Sequence, residues 1–154
     1  NVSQPMVDLP PNPFTFEVLA LVSKQRSNAK KVELLKKYDH DSTRALFIWN
    51  YDDSVLSVLP EGDVPYRPNP APMGTEHTLL EKEARKFYYF IKGGADNLPS
   101  MKKENMFIQM LEGLHEEEAK VLCLVKDKQL GKRYRITKAV VQEAFPTIQW
   151  GNRS

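Results

Sequence analysis

The chain has 154 residues, of which 41% are hydrophobic and 27% are charged, with 22 Lys and Arg against 20 Asp and Glu. These proportions are typical of one globular domain and exclude a disordered or collagen-like chain. No apolar run reaches the roughly 18 residues of a membrane span, so we expect no membrane partner. The single cysteine, Cys123, excludes an intramolecular disulfide and a cysteine-based zinc site, and it favours an intracellular location.

The first half of the chain predicts an extended lead-in followed by three short helices. Prolines crowd residues 1–13, and a proline restricts both its own backbone and that of the residue before it. Thr15 is the expected cap of the first helix. Ser27 is the expected cap of the second, which runs through Tyr38 with apolar residues at helical spacing. Asp41 is the expected cap of the third.

The middle of the chain carries a different pattern. Residues 54–59 are short and β-prone, which predicts a small strand or an extended segment. Residues 60–74 hold five prolines and form either a linker between subdomains or a loop packed on the surface. Val64, Tyr66 and Met73 favour the packed loop, because a free linker rarely carries such residues.

The second half predicts four more helices. Residues Leu80–Ile91 have one apolar face and lead to a Gly-Gly pair, a typical helix end. Two further helices are expected over Met106–Leu114 and Glu116–Val125. The last helix begins after Thr137, its expected cap, and ends at Phe145.

Together these patterns predict an all-α fold. We expect a compact single domain of about six to seven short helices, with a proline-rich central loop and at most a minor β segment near 54–58. The expected division is a lead-in over 1–13, one helical domain over 14–148 and a tail over 149–154.

The residues that usually carry catalysis form no recognisable site. The three histidines, His40, His77 and His115, match no metal-binding spacing, and phosphate-cradling glycine loops are absent. Cys123 lies among aliphatic residues, which is typical of a small buried side chain. Glu116–Glu118 is either a metal-binding cluster or a charged helix start, and the second is favoured because consecutive helical positions diverge. We expect no catalytic residue, no metal, no cofactor and no enzymatic activity.

The positive charge is concentrated in two stretches. Residues 24–37 contain six Lys or Arg against one acid, and residues 120–138 contain seven against one. In the second stretch, a flexible loop over 126–135 is expected to run into the helix start at Thr137, where backbone N–H groups, a hydroxyl and cations suit a phosphate. Tyr134 adds a ring for a sugar or base. The alternative is an ordinary solvated surface. The expected nucleic-acid contacts are Lys30, Lys31, Lys37, Lys132, Arg133, Arg135 and Thr137.

The sequence resembles an uncharacterised protein family of T4-like tailed phages, including phages of cyanobacteria. The matching stretches are Phe16–Lys37, Leu59–Pro68 and Met106–Leu122, continuing to the Glu-Ala-Phe-Pro that ends at Pro146. This resemblance covers nearly the whole chain and implies a phage protein that acts in the cytoplasm of the infected bacterial host. It implies no particular activity.

A more distant resemblance is to the helical N-terminal DNA-binding domain of ATP-dependent DNA ligases, especially the phage type. It rests on a Lys-rich helix at Asn28–Tyr38, a helix at Glu116–Leu122, the loop residues Gln129–Gly131 and the closing Phe145–Pro146. Such domains grip duplex DNA across the minor groove through backbone contacts. The glycine comes earlier in this loop than in the ligases, and the Lys-x-Asp-Gly adenylation motif is missing. The resemblance therefore extends to DNA gripping and excludes ligase activity.

Two functional hypotheses follow. The first is a non-enzymatic phage protein that binds duplex DNA through its phosphates with little sequence preference. The second is an interaction module that docks on a host or phage replication or transcription protein, with Tyr66 and Arg67 held between prolines as anchors. A structural role in the virion is a third and weaker alternative.

Overall fold

The computed structural model describes residues 13–68 and 79–151, and these residues form an all-α fold. The fold class and the expected number of helices are confirmed within them. Residues 1–12 of the predicted lead-in, Met73, His77 and residues 152–154 of the predicted tail lie outside the described residues. The helices are α1 Thr15–Ser23, α2 Asn28–Lys37, α3 Asp41–Tyr51, α4 Leu80–Glu83, α5 Ser100–Gly113, α6 Glu116–Lys126 and α7 Lys138–Ala144, with 3₁₀ helices at Ala84–Phe90 and Leu130–Lys132.

The helices enclose one hydrophobic core. Helix α6 packs against α1, α3 and α5, while α2 packs against α1 and α7. The largest fully buried apolar side chains come from both halves of the chain and include Phe47, Phe90, Phe107 and Phe145. Because every long helix contributes to this core, the described residues form a single folding unit.

The start of α1 differs from its prediction. The N-cap residue is Phe14, not Thr15, and Thr15 is already helical. The buried carboxylate of Glu118 accepts the backbone N–H groups of Thr15 at 3.2 Å and Phe16 at 2.8 Å. The carboxylate of Glu17 accepts the N–H of Phe14 at 2.9 Å. A carboxylate about a hundred residues away therefore replaces the expected hydroxyl cap.

Local caps elsewhere are mostly as predicted. The hydroxyl of Ser27 accepts the N–H of Lys30 at 3.1 Å and caps α2. Helix α3 begins one residue away from the prediction, since the cap is His40 rather than Asp41. The Nδ1 atom of His40 accepts the N–H of Ser42 at 3.0 Å. Asp41 already belongs to the first turn of α3, where its negative charge interacts favourably with the positive end of the helix dipole.

The single helix predicted over Leu80–Ile91 is wrong beyond its first turn. After α4 the chain tightens into the 3₁₀ helix, where Ala84, Phe87 and Phe90 share one face because they lie three residues apart. The chain then forms an isolated antiparallel bridge between Ile91 and Ser57. This bridge is all the pairing shown within residues 54–59, which agrees with at most a minor β segment.

The proline-rich loop packs against the body as far as it is described. Val64 and Tyr66 are half-buried and contact the core. The ammonium of Lys126 donates to the carbonyls of Pro60 at 2.6 Å and Gly62 at 3.1 Å. The packed-loop interpretation is therefore confirmed up to Pro68, where the described part of this loop ends.

We expect Gly94→Ala to lower the free energy of unfolding by about 2 kcal/mol, because the added methyl group overpacks a tight turn. A Cβ atom at Gly94 would lie 1.9 Å from the backbone oxygen of Tyr88. Gly131→Ala is the matched control, since its Cβ atom would meet nothing within 4 Å. Urea unfolding of both variants tests this, and equal stabilities would contradict it.

Candidate nucleic-acid interface

The two basic stretches meet at the backbone of Arg135. Helix α2 packs on α7, and the ammonium of Lys31 donates to the carbonyl oxygen of Arg135 at 2.5 Å. The N–H of Arg135 donates to the hydroxyl of Ser23, at the end of α1, at 2.8 Å. The loop before α7 therefore adjoins α2 and the end of α1, while the Arg135 side chain is exposed. We call residues 23–31, which join the end of α1 to the start of α2, together with residues 132–137 the basic surface.

Side chains of α3 fix the rest of this loop. The amide oxygen of Asn50 accepts the N–H of Leu130 at 3.1 Å in a buried position. The hydroxyl of Tyr51 donates to the carbonyl oxygen of Ile136, and burial raises the pKa of Tyr51 to about 12. The loop was expected to be flexible, but its backbone is bonded to the body at Leu130 and Arg135, and again at Ile136 directly after it.

Lys128 reverses the chain after α6 and closes the end of α3. Its backbone has a φ of +57°, in the left-handed region that few residues other than glycine adopt. Its ammonium donates to the carbonyls of Trp49 at 2.5 Å and Asp52 at 2.8 Å, where the helix dipole favours a cation. Burial lowers the pKa of Lys128. This lysine serves the fold and is not available to a ligand.

Several residues that were predicted to bind phosphate are engaged within the protein. Lys31 is only 9% exposed, and its ammonium is bonded to the backbone carbonyl oxygen of Arg135. Lys30 pairs with Glu33 at 2.7 Å, and this hydrogen bond lowers the pKa of the Glu33 carboxyl. Arg133 forms an ion pair with Glu117 on α6. These contacts reduce the charge that Lys30, Lys31 and Arg133 present to a ligand.

Thr137 occupies its predicted position as the cap of α7. Its hydroxyl oxygen accepts the N–H of Val140 at 3.3 Å. A threonine hydroxyl that accepts one bond still has its own hydrogen to donate. Lys37 is exposed on α2, with its ammonium 5.3 Å from the ring centroid of Tyr38.

Two exposed cations of the loop, Lys132 and Arg135, have side chains that make no hydrogen bond or ion pair within the part of the chain that the structure describes. Lys24 and Arg26, near the end of α1, are exposed in the same way. Sequence reasoning counted Lys24 and Arg26 in the first basic stretch but did not select them. The signal was their position in the three residues before Ser27, at the helix end that this cap implies.

The groove beside this loop contains Tyr66, the residue that was predicted to anchor a protein partner. Tyr66 is half-buried, and it lines this groove together with Cys123. Burial raises the pKa of Tyr66 to about 12. Arg67 is exposed, and its N–H donates to Glu112 at 2.9 Å. No described contact favours docking through a projecting Tyr66 ring, so that alternative stays a prediction.

Other kinds of site find no support in residues 13–68 and 79–151. No group of metal-ligating side chains occurs among them. His40 and His115 are helix caps, and the Nδ1 atom of His115 accepts the N–H of Glu117 at 3.0 Å. None of the helices there is long and apolar enough to cross a membrane.

The fold and the site define a small all-α protein with a basic surface built on a fixed loop. The chain belongs to a family of unknown function, DUF6433, whose sequence pattern matches residues 18–132. The match includes Lys132 and ends before Arg135 and α7. No curated protein and no solved structure matches the chain.

Proposed function

We propose that the protein binds duplex DNA through the phosphate backbone, with little sequence preference and without enzymatic activity. The observation that carries this proposal is the pair of exposed cations Lys132 and Arg135, whose side chains have no bonded partner among residues 13–68 and 79–151, on a loop joined to α2 by Lys31. As the resemblance to phage proteins implies, we expect the protein to act in the cytoplasm of the infected bacterial host.

The physical basis is the release of counterions from the DNA when cations neutralise its phosphates. Lys132, Arg135 and the hydroxyl of Thr137 lie within six residues of chain and offer charge and hydrogen bonds to one stretch of backbone. Lys24 and Arg26 continue the positive surface beside Ser23, which contacts Arg135. Arg133 contributes less, because Glu117 neutralises it.

We expect the triple variant K132A/R133A/R135A to bind duplex DNA about 10- to 100-fold more weakly than the wild type. The plot of log affinity against log salt concentration should become shallower by roughly 2 to 3 units, since each lost phosphate contact removes about one released counterion. Fluorescence anisotropy with a labelled duplex at several salt concentrations measures both quantities.

The matched control is K82A/R85A/K102A, which removes the same charge from exposed positions of α4, the 3₁₀ helix and α5. A retained circular dichroism spectrum and unfolding midpoint verify that both triple variants fold. If the two variants bind DNA equally well, net charge alone governs binding and the assigned surface is wrong.

A further inference from the structure

A cleft of about 560 Å³ opens beside the basic surface. One wall is the proline-rich loop from Gly62 to Tyr66, and the other is formed by α6 and the loop that follows it. Its volume lies within the range of sites for small organic ligands. Lys132 and Arg133 line this cleft and also belong to the basic surface.

The interior of the cleft suits a planar, partly apolar group. Val64, Cys123 and Leu124 line it with apolar atoms, and Tyr66 contributes an aromatic ring. Tyr66 and Cys123 lie on opposite walls of the cleft. Aromatic side chains in such positions stack on nucleobases regardless of the base identity.

The polar groups of the cleft are divided between its two walls. Lys132 is exposed and makes no bond within the described residues, so its ammonium is available to a phosphate. On the other wall, Asp63 is likewise exposed and unbonded in the described part of the chain, and it accepts hydrogen bonds. The carboxylate of Asp127 is already used by Lys126 and by the N–H of Gly62.

We propose that this cleft binds an unpaired nucleotide, with the phosphate at Lys132, the base against Tyr66 and an N–H group of the base edge toward Asp63. The inference rests on the proposed function for its preferred source, a single-stranded end that continues from duplex held on the basic surface. A free mononucleotide has the same chemistry and is the other source.

The wild-type protein carries its own reporter of this site. Cys123 is the only cysteine of the chain and lines the cleft, where it is partly exposed. Its alkylation by iodoacetamide at mildly alkaline pH therefore measures whether the cleft is occupied. The test compares a blunt duplex, the same duplex with a single-stranded overhang of about three nucleotides, and a deoxynucleoside monophosphate.

We expect the overhang duplex to slow alkylation of Cys123 several-fold more than the blunt duplex, at equal saturation measured by anisotropy. Protection by the mononucleotide as well would identify a free nucleotide as a second source. Equal rates with blunt and overhang duplexes, together with no protection by the mononucleotide, would overturn the inference while leaving duplex binding intact. If the mononucleotide protects Cys123 but no duplex binds, the proposed function is wrong, while the cleft is still a nucleotide-binding site.

A variant that fills the cleft gives an independent measurement. We expect C123W to lose the preference for the overhang duplex over the blunt duplex. M101W adds the same bulk at a position that is 75% exposed and outside the cleft, and it should keep that preference. A preference that survives in a folded C123W protein would contradict the assignment.

Discussion

Replacement of Lys126 by methionine is expected to lower the free energy of unfolding by about 4 kcal/mol. The Lys126 side chain is nearly inaccessible, and its ammonium is bonded to Asp127 at 2.6 Å and to the carbonyls of Pro60 and Gly62. Methionine keeps the apolar length of the side chain but donates no hydrogen bond. The carbonyls of Pro60 and Gly62 would then lose this donor, and Asp127 would keep only the N–H of Gly62. The loss of a hydrogen-bond donor is costly for groups that water reaches poorly.

Urea unfolding followed by circular dichroism measures this loss, with Lys120→Met as the control. Lys120 lies on the same helix, but it is half-exposed and pairs with Glu116 and Glu117 near the surface. We expect that control to change stability by less than about 1 kcal/mol. Similar effects of the two substitutions would show that burial of Lys126 does not stabilise the fold.

The second large effect is expected for Glu118→Ala, which should lower the free energy of unfolding by about 3 kcal/mol. The carboxylate of Glu118 is 2% exposed and accepts two backbone N–H groups at the start of α1. Charged acceptors make the stronger hydrogen bonds, and the negative charge also favours the positive end of the helix dipole. Alanine would leave the N–H groups of Thr15 and Phe16 without an acceptor.

Glu116→Ala provides the comparison for Glu118. Both residues lie in the first turn of α6, but Glu116 is half-exposed and its nearest ionic partner is Lys120 at 3.8 Å. We expect this control to lower stability by about 0.5 kcal/mol. Thermal unfolding of both variants distinguishes them, and a Glu118→Ala protein as stable as the control would refute the capping role.

The features predicted correctly from sequence depend on residues close together in the chain. Ser27 and Thr137 cap the helices that follow them, because a cap contacts an N–H only two or three positions away. The cap of α1 could not be read in this way, since the carboxylate of Glu118 reaches it from another helix. The 3₁₀ helix was not predicted because Ala84, Phe87 and Ile91 also fit one face of an amphipathic α-helix.

Prediction from sequence meets the same limit for the charged residues of the candidate site. Counting basic residues identified both stretches, but sequence cannot distinguish an ammonium in water from one bonded to carbonyl oxygens. Lys31, Lys126 and Lys128 are of the second kind, each with a backbone acceptor far along the chain. Their long apolar stems make them suitable for bridging elements. The exposed cations are therefore fewer than the composition indicates.

The fixed loop also has a thermodynamic consequence for any ligand that it meets. Because the backbone at Leu130, Arg135 and Ile136 is already bonded to the body, binding would order the side chains of Lys132 and Arg135 but little of the main chain. Preorganisation of this kind reduces the entropy lost on association. Affinity would then depend on anchors such as Asn50 and Tyr51, which touch no ligand and only hold the loop in its binding conformation.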